Sequence, residues 1–303
     1  MGAAVLVGTQ KGLFVLTGDE TRREWSVEGP HLTGWEVFHA MRDPRTGTLH
    51  AATNHAVYGA TTHRSGDLGE TWERAEGIGL PEESGLTWEK SWHVEPGHPD
   101  EPETLWLGGT PAALFRSGDG GATWAPKNTG VAADFFPDDN FPEVGQCVHK
   151  LLVHPAKPER LWQQNHCGVY RSDDRGDTWE RLEGNGLPSG FGFPIALDPA
   201  DPDAAFVVPE EGAENRVTPG GRLGVYRTRD GGASWELLEN GLPQQAWQSV
   251  MREGMSFDRL DPVGIYLGTQ SGSVWVSPDA GGEWIEAAAY LPTVLSVEAA
   301  EWP

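Results

Sequence analysis

One eight-residue pattern recurs along this chain and restricts what it can fold into more than any other property. Ser65-Gly66-Asp67-Leu68-Gly69-Glu70-Thr71-Trp72 returns as Ser117-Gly118-Asp119-Gly120-Gly121-Ala122-Thr123-Trp124. It returns again as Ser172-Asp173-Asp174-Arg175-Gly176-Asp177-Thr178-Trp179 and as Thr228-Arg229-Asp230-Gly231-Gly232-Ala233-Ser234-Trp235. A looser copy is Ser277-Pro278-Asp279-Ala280-Gly281-Gly282-Glu283-Trp284. A degenerate first copy runs from Thr17-Gly18-Asp19 to Trp25, with one extra residue between Asp and Trp. Successive tryptophans are 47, 52, 55, 56 and 49 residues apart. A period of this length marks a fold made by copying one supersecondary unit.

The flanks repeat as well. Before the octets lie short apolar runs such as Gly168-Val169-Tyr170-Arg171 and Gly224-Val225-Tyr226-Arg227, with others further upstream such as Gly264-Ile265-Tyr266-Leu267-Gly268. After them come Gly79-Leu80-Pro81, Gly186-Leu187-Pro188 and Gly241-Leu242-Pro243. Apolar runs of this length between Gly, Pro and Asp punctuation predict strands, and no window carries a helical period. Four short strands per repeat is the size of a propeller blade. The expectation is therefore an all-β, six-bladed β-propeller of four-stranded antiparallel blades, forming a single domain over residues 1–303. Its first blade would combine residues 1–29 with 293–303, so that paired N- and C-terminal strands close the ring and leave no free edge.

Composition narrows the function classes. A formal net charge of −23 repels phosphate backbones and anionic lipid, which argues against nucleic-acid and membrane partners. No apolar run approaches the roughly 18 residues of a membrane span, and Met1–Thr9 lacks the basic start of a secretory signal. A cytoplasmic location is the expectation. Two cysteines, Cys147 and Cys167, make no disulfide framework and are expected as reduced core thiols.

The octets resemble the Asp-box (BNR) repeat of sialidases. The whole chain resembles bacterial propellers of the sialidase-like or glycosyl-hydrolase-like group, in which activity is undemonstrated. That resemblance implies a hairpin turn in which Asp67, Asp119, Asp174, Asp230 and Asp279 are structural, bonding turn backbone groups while glycine takes a positive φ. It also implies that these turns lie on the face away from any ligand. Sialidases carry an arginine triad, a Tyr–Glu pair and an Arg-Ile-Pro motif. Here Arg-Ile-Pro is absent, only Tyr290 lies in an upper loop, and Arg42 and Arg252 are the only arginines near inner strands. A true exo-sialidase is disfavoured on those residues.

Function is then expected on the opposite face. Aligning inner strands on Pro99 and Pro155 puts His93 and His149 in register, with His39 one residue off against Pro44, a shift that a β-bulge absorbs. Three imidazoles from separate strands could serve as catalytic acid, base or proton shuttle, or hold a divalent Zn, Mn or Fe ion. Trp35, Trp88, Glu143, Gln146, His166, Trp247 and Gln248 fall in inter-blade or turn segments and suit a small polar or carbohydrate-like ligand. Two readings stand side by side. One is an enzyme-like propeller, such as a metal-assisted hydrolase or lyase on a carbohydrate-like substrate. The other is a non-catalytic scaffold that binds a protein, with His39, His93 and His149 merely satisfied in the core.

Overall fold

Five octets and a degenerate first copy predict six blades, but among the described residues five stretches of chain lay down four strands in order. The computed structural model describes residues 3–44, 47–74, 90–101, 103–110, 113–118, 125–127, 129–132, 134, 140–141, 148–182 and 186–302. The fold is an all-β propeller of four-stranded antiparallel blades, and the count of six is corrected to five blades that are each continuous in sequence. These span 36–74, 90–126, 148–181, 192–238 and 255–288. A further four-stranded sheet is composite, in the order Val294–Glu301, Ala3–Thr9, Gly12–Gly18, Trp25–His31. The octet in that sheet is the degenerate one, which is why counting tryptophans overstated the number of regular repeats.

The chain divides into two compact units. The first comprises residues 1–92, 240–242 and 248–303, and the second residues 93–239 and 243–247. In the first unit the composite sheet is apolar on both faces. Ala3, Val5 and Val7 pack with Tyr266, Val274 and Val276, while Leu6, Leu13 and Val15 pack with Val37, Ala40, Leu49 and Ala51. Side chains alternate across a strand, so a strand covered on both faces must read as a continuous apolar run, and Ala4-Val5-Leu6-Val7 does. In the second unit Trp106, Val148, Leu151, Leu161, Tyr170 and Trp179 form one core cluster. Cys167 joins it, and burial raises its thiol pKa. Cys147 lies outside the described residues.

The octets form one turn repeatedly. Ser65 Oγ donates to Asp67 Oδ1 at 2.7 Å and accepts from the Gly69 N–H at 2.8 Å, while Asp67 accepts from the Thr71 N–H and hydroxyl at 2.9 and 2.5 Å. Asp174 with Ser172 and Thr178 repeats this set, as does Asp230 with Thr228 and Ser234. Asp279 bonds Ser277 and the Glu283 N–H. Asp119 falls outside the described residues. These carboxylates are spent on their own turns. The Gly-Leu-Pro tails are explained by close approach. Gly241 sits at φ +93°, and a Cβ there would lie 2.2 Å from the Trp284 carbonyl oxygen; Gly186 has the same relation to Trp235.

Helix is confined, among the described residues, to the three-residue 3₁₀ turn Pro219–Gly221. No helix is long and apolar enough to cross a membrane.

Candidate functional site: a buried histidine–carboxylate cluster

The inner strand Glu36–Arg42 pairs with Leu49–His55, and its register shifts between Val37 and His39. That irregularity re-aims His39, which is 6% exposed. Beside this strand run the opening residues of Lys90–Pro96. The Trp92 ring meets Phe38 edge-on at 5.3 Å, and Lys90 Nζ lies 5.2 Å from both ring centroids. The Arg252 guanidinium stands 4.5 Å from the Trp92 centroid. The boundary between the units falls inside this strand, between Trp92 and His93.

His93, one peptide bond beyond Trp92, is 5% exposed, and Glu253, next to Arg252, is 2% exposed. Within the first unit, one ligand atom each from His39 and Glu253 lie within 4.8 Å of one another. Glu253 is fixed by its backbone, since its carbonyl accepts the Val297 N–H at 2.6 Å and it bridges Ser296. Burying an imidazole and a carboxylate at this separation is costly unless they neutralise one another or hold a cation. An imidazole and a carboxylate so placed can share a proton or supply two ligands to a borderline divalent metal.

Sequence reasoning singled out His39 and missed Glu253. The alignment that exposed the histidines used prolines trailing regular inner strands. Glu253 comes instead from the irregular approach to the short strand Met255–Phe257, out of that register. A weak signal was present in the adjacent pair Arg252-Glu253, a charged dipeptide just ahead of an inner strand.

His149 was expected with His39 and His93, and its geometry belongs to another arrangement. Its Nδ1 lies 2.7 Å from the Gly192 carbonyl and its Nε2 lies 3.2 Å from Nδ1 of His166. His98 and His154 have a plainer role, each with Nε2 on a carbonyl oxygen, of Pro155 and Asp198 respectively. Burial lowers the His154 pKa.

The remaining ligand-binding expectations separate. In the first unit Trp35 stacks with Tyr58 at 6.0 Å and lies 5.0 and 4.7 Å from the rings of His55 and His63. Gln248 is half-buried. In the second unit Trp247 is 70% exposed, with its indole laid on Gly221 at φ +66°. Trp88, Glu143 and Gln146 lie outside the described residues. Tyr290 is 98% exposed.

No protein-family model matches the chain. Among curated proteins it is similar to a probable oligoxyloglucan-reducing end-specific xyloglucanase of Neosartorya fischeri, 29% identical over 213 residues. That alignment covers 65% of this chain and 23% of the relative. It is also similar to a xyloglucanase of Acetivibrio thermocellus, 27% identical over 194 residues, covering 57% of this chain and 22% of the relative. The chain thus spans less than a quarter of the length of these relatives. Among solved structures, an ancestral GH74 enzyme superposes with a TM-score of 0.52 at 14% identity, over 91% of this chain and 36% of that one. The GH74 xyloglucanase of Xanthomonas campestris gives 0.51 at 16% identity, over 94% and 43%. These relatives support the glycosyl-hydrolase-like part of the expected resemblance and do not show its sialidase-like part. What the chain shares with the solved structures is the propeller fold, and its homologues among known proteins are xyloglucanases.

Proposed function

We propose that this protein is a hydrolase or lyase acting on a carbohydrate-like substrate, with its chemistry at His39 and Glu253 of the first unit. The observation that carries the reading is the approach of these two buried groups to within 4.8 Å. Homology to xyloglucanases supports a polyhydroxylated substrate. The exposed Trp247 indole supports it too, since an apolar ring face suits the C–H face of a sugar.

The residues fit a divalent ion such as Zn²⁺, Mn²⁺ or Fe²⁺, to which His39 would give an imidazole nitrogen and Glu253 a carboxylate oxygen. Such an ion, when bound, supplies Lewis acidity toward a sugar oxygen. The chain's own contribution is separate. A buried carboxylate and imidazole can accept a proton from, or give one to, a ligand hydroxyl within hydrogen-bond reach. His39 and Glu253 are 6% and 2% exposed, so reacting groups there feel a lower dielectric than in water.

Metal analysis of protein purified without a polyhistidine tag tests the ion. About one equivalent of a divalent transition metal per chain is expected, falling at least tenfold in Glu253→Gln and His39→Ala. Wild-type protein free of such metal, and gaining no thermal stability when Zn²⁺ or Mn²⁺ is added, would remove the ion from the account.

A further inference from the structure

In the first unit, a group of rings apart from the His39–Glu253 pair shares one face of a sheet with an arginine. Arg74 pairs with His63 between the strands Glu73–Arg74 and Gly59–Ser65, and His63 pairs with Ala51 of Leu49–His55. Directly paired residues share a face and alternate residues return to it, so Thr53, His55, His63 and Arg74 lie on one side. Trp35, just before the strand Glu36–Arg42, meets that side, its ring 5.0 Å from His55 and 4.7 Å from His63. Tyr58, in the turn after His55, completes the group at 6.0 Å from Trp35 and 4.8 Å from His55.

The rings are held in place. The Trp35 N–H donates to the Leu32 carbonyl at 3.1 Å, His55 Nδ1 accepts the Val57 N–H at 3.1 Å, and Thr53 Oγ1 lies 2.9 Å from His63 Nδ1. Burial, and then the charge of Arg74, lower the His63 pKa, so Arg74 brings the permanent positive charge. Its guanidinium carbon lies 5.9 Å from the Trp35 centroid and 5.5 Å from that of Tyr58. Such a contact consumes none of the five N–H donors, and among the described residues no carboxylate pairs with them. Glu73 projects to the other side of its strand and takes two N–H groups of Arg64 at 2.9 and 2.7 Å, while Glu36 takes the Asn54 amide at 3.0 Å. Arg74 is exposed, as is Tyr58 at 60%.

A guanidinium with open donors beside an exposed aromatic ring matches a ligand that has both an apolar face and a planar anion. We propose that Arg74 and Tyr58, backed by the half-buried Trp35, form a subsite for an acidic glycan. The C–H face of a uronic acid lies on the Tyr58 ring, and its carboxylate takes the Arg74 N–H groups. The guanidinium fork meets a carboxylate bidentately, which an ammonium in its place does not. The formal net charge of −23 repels such a ligand at long range. That field is screened beyond about 8 Å at physiological salt, so at contact the Arg74 pair decides. The sugar part of the ligand rests on the carbohydrate reading above, whereas the preference for an anion rests on Arg74.

Titration calorimetry of the full chain at fixed ionic strength tests it with two probes. One is a neutral β-glucan oligosaccharide, and the other is the same oligosaccharide oxidised to carboxylates at C6. The oxidised probe should bind wild type about tenfold more tightly. Arg74→Gln should erase that preference, Arg74→Lys should keep only part of it, and Tyr58→Ala should weaken both probes about fivefold. Both positions are exposed, and an unchanged urea midpoint shows that each variant is folded. Equal affinity of the two probes for wild type, or a preference that survives Arg74→Gln, would overturn the subsite. Binding of neither probe by a chain that still turns over β-glucan would also overturn it and would spare the catalytic reading. The preference found in a chain without turnover would sink the catalytic reading alone.

Discussion

Arg22 occupies the turn position that glycine holds in the regular octets. It takes φ +57°, and its carbonyl accepts the Trp25 indole N–H at 3.1 Å, as the Gly69 carbonyl accepts that of Trp72 at 3.0 Å. Its side chain explains the departure, since Nη1 pairs with Asp258 at 2.9 Å in a buried site and Nη2 bonds the Pro262 and Pro278 carbonyls. Tyr266 also donates to Asp258 at 2.7 Å. Arg22→Met should leave a buried carboxylate short of its cation and lower stability by about 3 kcal/mol, read as a shifted urea midpoint. The octet aspartates give a pH signature. Hydrogen bonds from Thr71 hold the Asp67 pKa down to about 2, and those from Ser234 do the same for Asp230, against an ordinary value of 3.8. Their protons bind more readily to the unfolded chain, so the stability they contribute is complete above pH 3.8 and is lost as pH falls through about 2. Urea midpoints followed by tryptophan fluorescence should therefore decline below pH 4; a flat profile down to pH 2 would contradict this role.

Between elements, the glycines of the Gly-Leu-Pro tails fit against a tryptophan carbonyl of their own unit, Gly241 on Trp284 and Gly186 on Trp235. Gly241→Ala places a Cβ at positive φ against the Trp284 carbonyl and should cost about 1–3 kcal/mol. A similar loss is expected for Gly186→Ala, measured by the same denaturation. The strand Val294–Glu301 pairs with Ala3–Thr9 from Ala3↔Glu301 to Thr9↔Val294. Removing residues 294–303 would bare an apolar edge, and the truncated protein should aggregate, seen as a void-volume peak in size-exclusion chromatography. The strands themselves were legible because apolar runs and Gly/Pro/Asp punctuation act locally. The blade count was not, because Trp25 imitates a regular octet whose sheet is assembled from residues almost 300 positions apart. The site was half legible for the same reason. His39 and His93 lie on regular inner strands that align, and even the bulge before His39 was anticipated. Glu253 lies on none, and the partner of His149 proved to be the turn residue His166. Nothing in linear order announces which imidazole meets which carbonyl.

For the whole molecule, Asp67, Asp174, Asp230 and Asp279 hold turns, and the proposed chemistry rests on His39 and Glu253. The chain spans less than a quarter of the length of the xyloglucanases it resembles. The most direct test is release of new reducing ends from xyloglucan and from neutral β-glucan oligosaccharides, comparing the wild-type chain with Glu253→Gln. The account predicts turnover by wild type and a loss of at least a hundredfold in a variant whose urea midpoint still marks a folded protein. Turnover that survives Glu253→Gln undiminished, or its absence from wild type supplied with divalent metal, would contradict it.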